Sequence, residues 1–103
     1  MVTIDDALVY MGIDYPDEVA IKNATRALAT AQRTLKGAVG DDVDDLLPGD
    51  ERAAEIVLMW TDDLYKQRGS TSAKVTGTTR RLTEDMVLQL QMDLRRLREV
   101  AAK

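Results

Sequence analysis

Neither cysteine nor histidine occurs in this chain of 103 residues. Their absence excludes a disulfide framework, thiolate and imidazole metal sites, and every nucleophilic device that relies on a Cys or a His base. Aromatic residues are scarce, at 4%, with one tryptophan and no phenylalanine. No apolar run approaches the roughly 20 residues of a membrane span. The opening Met1-Val2-Thr3-Ile4-Asp5-Asp6 turns acidic at once and lacks an apolar stretch of signal-peptide length. These features lead us to expect a soluble protein made inside the cell, folded as a single domain over residues 1–103. A chain of this size hides roughly two-thirds of its unfolded surface, so a modest core needs no covalent staple.

What the sequence does have is charge, unevenly placed. The net charge of −4 conceals 14 acids and 5 bases in residues 1–63, against 9 bases and 4 acids in residues 64–103. An acidic front and a basic back can solvate separate faces. They can also let the acidic surface of one copy meet the basic surface of the next, head to tail. The overall acidic balance argues against a sequence-specific DNA binder.

Hydrophobic spacing predicts an all-α protein, a small bundle of about four helices with one long polar loop before the last. The first helix opens on Thr3 as a hydroxyl cap, carries Ile4, Ala7, Leu8 and Met11 on one face and stops at Gly12. The second begins around Asp14, Tyr15 and Pro16, buries the stripe Ile21, Ala24, Leu28, Ala31 and Leu35, and stops at Gly37. The third runs from between Pro48 and Glu51 to Arg68, with Ala53, Ile56, Val57, Trp60 and Leu64 facing inward and Gly69 ending it. A polar loop, residues 70–82, follows; its only strand-like stretch is "AKVTGTT". The last helix is predicted from Thr83, with Glu84 and Asp85 in its first turn and Val87, Leu90, Leu94 and Leu97 as its stripe. Arg95, Arg96, Arg98 and Lys103 load its negative end.

The constellations that resemble chemical sites do not meet the requirements of one. "GDDVDDLLPGDE" is rich in aspartate, but a calcium loop needs acids at alternating positions, a glycine at the sixth and a glutamate at the twelfth, and no frame supplies them. It reads as a solvated, turn-rich connection. "GSTSAKVTGTT" lacks the lysine placement and the strand of a phosphate-binding loop. The pairs Asp5/Asp6, Asp62/Asp63 and Glu84/Asp85 are sequence neighbours, which point about 100° apart on a helix and cannot flank one bond. We therefore expect no enzyme, no cofactor and no metal. Lys66, Arg68, Lys74, Arg80 and Arg81 surround the long loop, as a solvated face or as contacts to an acidic partner or to phosphate. Without aromatic residues in the loop, any nucleic-acid contact would be independent of sequence.

Taken in order, three stretches resemble the small head–tail connector (adaptor, or head-completion) proteins of long-tailed bacteriophages. They are "VTIDDALVYMGID", "DEVAIKNATRALATAQRTLKGAVG" and "ERAAEIVLMWTDDLYKQRG", the last closing on Tyr65 and Arg68, and together they cover residues 2–69. The likeness stops there: no proline follows Pro48, and the loop and the basic last helix are longer than the family's pattern. The resemblance implies an all-helical, non-enzymatic subunit that forms a ring of about a dozen copies through a heterologous interface. The ring would sit below the portal protein in the virion head–tail joint, meet the next connector or tail-completion protein, and let genomic DNA pass. Assembly would take place in the bacterial cytoplasm, with no membrane involved. On this reading Trp60 and Leu64 anchor the core, Tyr65 and Arg68 match the family pattern, and Arg68, Lys74, Arg80 and Arg81 face a neighbour, the portal or the channel. The rival is a small helical regulatory or interaction module, antitoxin-like or transcription-associated.

Overall fold

The computed structural model describes residues 2–67 and 74–102. They form five helices and no strand: α1 (Ile4–Tyr10), α2 (Glu18–Val39), α3 (Val43–Leu46), α4 (Glu51–Lys66) and α5 (Gly77–Ala101). The all-α bundle expected from hydrophobic spacing is what the chain forms, with one helical turn, α3, added inside the acidic connection.

Each principal helix begins on a side chain that satisfies otherwise unpaired amides. Thr3 accepts from the Asp6 amide at 3.2 Å while the Asp6 carboxylate accepts from the Thr3 amide at 3.0 Å, a reciprocal cap on α1. Asp17 accepts from the Ala20 amide at 2.7 Å, so α2 starts after Pro16 rather than with it. Asp50 accepts from the amides of Arg52 and Ala53 at 2.8 and 3.2 Å and starts α4.

α2 and α4 form the central pair, α5 packs across α4 and α2, and α1 closes one end against both α2 and α4. Small side chains make the central approach possible: Ala24 and Ala31 on α2 are fully buried, and Ala27 nearly so. Ala27 and Ala31 share one core cluster with Ile56, Val57, Trp60 and Leu64 of α4 and with Leu90 and Leu94 of α5. Burying each of the larger aliphatic side chains contributes about 1.5–3 kcal/mol before conformational entropy is subtracted. The molecule measures 49 × 25 × 20 Å. It is elongated because α5 alone is about 37 Å long at about 1.5 Å per residue.

Four sequence expectations are corrected. Gly37 does not stop α2, which runs to Val39 and ends at Gly40, whose amide donates to the Lys36 carbonyl at 2.8 Å. Gly37 keeps helical geometry at a cost of about 1 kcal/mol relative to alanine. Gly40, at φ +119° and ψ 149°, adopts the backbone that breaks the helix. Ile21 shares the azimuth of the buried stripe but sits near the start of α2, where 41% of it remains in solvent. α4 ends at Lys66, with Gln67 as its cap. The last correction is the largest: α5 starts at Gly77 and not at Thr83, so residues 77–82 of the expected loop are helical. Thr76 is the cap that holds this earlier start, accepting from the Thr79 amide at 3.4 Å.

Candidate functional site

Trp60 and Leu64 lie one turn apart on the buried face of α4, both within the core. Tyr65, half-buried, packs against the same core. Arg68, the second family-pattern position, lies outside the described residues, as does residue range 69–73. On the described sides of that segment two side chains tie α4 to the start of α5. Asp63 accepts from the Thr76 amide at 2.8 Å, and the Gln67 side-chain amide donates to the Lys74 carbonyl at 2.8 Å. Asp62 pairs with Lys66 at 3.0 Å and holds the ammonium more firmly protonated, through their hydrogen bond first and their charges second. "WTDDLYKQ" thus closes a helix and anchors a connection.

Lys74, Arg80 and Arg81 are exposed, but the structure does not gather them into one loop. Lys74 precedes α5, whereas Arg80 and Arg81 sit in its first two turns and diverge by about 100°. Arg80 donates to the Val75 carbonyl at 3.3 Å and Arg81 to the Thr78 hydroxyl at 3.5 Å.

Two long-range ion pairs join the acidic front of the sequence to its basic back. Arg98 of α5 grips Asp42 before α3, with Nε to Oδ2 at 2.8 Å, and donates through Nη2 to the Val39 carbonyl at 2.7 Å. The Arg98 hydrogen bond holds the Asp42 carboxyl below its ordinary range. Arg52 bridges Asp50 at 2.9 Å and Asp93 of α5 at 2.8 Å.

Two other surfaces, not anticipated from sequence, are better formed. The first is an open cavity of about 510 Å³ between α1, α2, α3 and the start of α4. Val9, Leu47, Ala54 and Leu58 give it an apolar lining, and the volume falls within the roughly 300–1,000 Å³ of small-molecule and side-chain pockets. Its carboxylates are committed elsewhere. Asp6 caps α1, held low by the Thr3 amide; Asp50 is held low by the Arg52 guanidinium and by the α4 amides; Asp44 faces Lys36 at 3.7 Å. Burial, then the nearby Glu55 charge, pushes the Tyr10 phenol up, so it remains neutral at physiological pH. Among the described residues, no group of three or more acidic side chains could hold a metal ion.

The second feature is a pair of exposed apolar side chains. At the turn from α1 into α2, Tyr15 is 98% exposed and Val19 67% exposed, and neither lines the groove. A pattern of amphipathic spacing reveals buried positions; it does not reveal an apolar residue left deliberately in solvent, and both features escaped sequence reasoning for that reason.

No protein-family model, curated protein or solved structure matches the chain. No described helix is long and apolar enough to cross a membrane.

Proposed function

We propose that this chain is a head–tail connector subunit of a bacteriophage or prophage, a non-enzymatic adaptor that closes into a ring of about a dozen copies through one repeated heterologous contact. The observation that carries the reading is the coexistence of two exposed apolar side chains, Tyr15 and Val19, with a separate apolar groove lined in part by Ala54 and Leu58. A ring needs two unlike surfaces on each subunit, one for each neighbour. Tyr15 and Val19 are the candidates for the surface that enters the neighbouring groove. The sequence likeness over residues 2–69 supplies the class of partner: a portal above, the next connector or a tail-completion protein below, and genomic DNA passing without tight phosphate binding. The setting is the virion head–tail joint, after assembly in the host cytoplasm.

The rival reading, a small helical regulatory or interaction module, antitoxin-like or transcription-associated, calls in its DNA-binding form for a tight turn of about three or four residues before a recognition helix. Here residues 67–76 separate α4 from α5, which does not favour it.

Sedimentation velocity from micromolar to millimolar concentration tests the ring contact. The wild-type chain is expected to give one discrete high-order species. Tyr15→Asp with Val19→Asp, or Ala54→Arg in the groove, should abolish it without altering the circular dichroism spectrum. A chain that stays monomeric or dimeric throughout, with and without its portal, overturns the reading.

A further inference from the structure

α5 carries a second apolar surface that the ring does not use. Leu90 and Leu94 are fully buried on one face of the helix, together with Thr83. On the opposite face run Arg81, Asp85, Leu88, Met92, Arg95 and Glu99, all exposed. Their spacing alternates four and three residues, which is the seam spacing of a helix that pairs with another helix. Leu88 and Met92, 49% and 64% exposed, form the apolar centre, and an acid and a base stand on either side of it.

The order of those charges selects one partner and one orientation. If a second α5 lies antiparallel, with the two helices crossing at residue 90, Leu88 meets Met92 of the other copy. Asp85 then meets Arg95, and Arg81 meets Glu99, at both ends of the contact. In the parallel arrangement every charge on the seam would face its own kind, which is unfavourable. Two further exposed residues lie on one flank of the contact, centred one residue from the crossing. Leu82 and Val100, 66% and 65% exposed, stand at one azimuth because the interval between them is about five full turns. On an antiparallel pair, that flank of one helix meets the same flank of the other, so each Leu82 reaches a Val100.

We propose that the chain self-associates through an isologous, antiparallel α5–α5 contact centred on Leu88 and Met92. Within one copy Arg95 is 3.9 Å from Glu99, an exposed pair too weakly held to compete with a contact across the seam. Because a two-fold contact cannot close a ring, this pairing is distinct from the connector interface and does not rest on that reading. A single helix pair lies at the small end of specific interfaces, and dissociation in the micromolar range is expected.

The native chain has no cysteine, which makes crosslinking a clean test. Leu88→Cys and Met92→Cys proteins, mixed and oxidised, should form the mixed disulfide in preference to either homodisulfide. Preference for the Leu88→Cys homodisulfide would establish a parallel pair and overturn the proposal. Charge exchange supplies the second arm. Asp85→Arg alone should weaken self-association at least about tenfold, and Arg95→Asp added to it should restore association. Tyr15→Asp with Val19→Asp should leave this pairing intact, which separates its failure from failure of the ring. A wild-type chain that sediments as a monomer up to millimolar concentration, or a double exchange that fails to recover while circular dichroism is unchanged, would refute it.

Discussion

The indole N–H of Trp60 donates to the Thr83 hydroxyl at 3.0 Å, joining α4 to α5 in the centre of the molecule. The hydroxyl itself donates to the Thr79 carbonyl at 3.0 Å, so one buried threonine both accepts from α4 and donates within α5. Thr83 is fully buried and Trp60 is 3% exposed. Replacing Thr83 by valine keeps the shape and leaves the indole N–H without its acceptor. The expected loss is about 1–3 kcal/mol, read as a lower midpoint in urea unfolding. Thr83→Ser retains the hydroxyl and should lose less.

Gly40 sits where the chain leaves α2, at φ +119°, a region that side-chain-bearing residues rarely occupy. A methyl group there would also collide with the Arg98 guanidinium and come within 2.9 Å of the Asp42 carboxylate. Gly40→Ala therefore strains the backbone and displaces the ion pair between α5 and the residue preceding α3. We expect a destabilisation of at least about 1–3 kcal/mol. Gly37→Ala, a few residues earlier in open space within the helix, should stabilise by up to about 1 kcal/mol. Thermal unfolding of the two variants side by side checks the contrast.

The acid limb of stability has named contributors. Asp50 is held below its ordinary value of 3.8, by the Arg52 guanidinium first and by the α4 amides as well. A depressed carboxyl stabilises the fold fully above its unfolded value, and that contribution is lost as pH falls through the folded value. Asp42 and Asp6 act in the same direction. Asp50→Asn preserves a good helix cap but removes the titrating charge. The variant should be less stable than wild type at neutral pH, and the gap should narrow as the pH is taken below about 4. Urea midpoints measured across that range would reveal it, and a gap constant with pH would contradict the assignment.

Much of the scaffold is legible without coordinates because it rests on local rules. The inward spacing of Ile56, Val57, Trp60 and Leu64 follows from the helical period, and Thr3 announces itself as a cap. The start of α5 is harder to read because Thr76, Thr78, Thr79 and Thr83 all offer hydroxyls. What decides among them is non-local: Asp63 holds the Thr76 amide from α4, while Trp60 claims Thr83. Arg98 and Asp42, 56 positions apart, are likewise joined only by the packing of α5. The groove and the Tyr15–Val19 pair have no sequence signature, since each is defined by what does not cover it.

The connector reading is tested most directly by native mass spectrometry of the purified chain mixed with the portal protein encoded in the same genome. We predict a complex in which one portal ring carries a full complement of about a dozen copies of this chain, lost with Tyr15→Asp and Val19→Asp. A portal that remains bare at millimolar chain concentration would contradict the account.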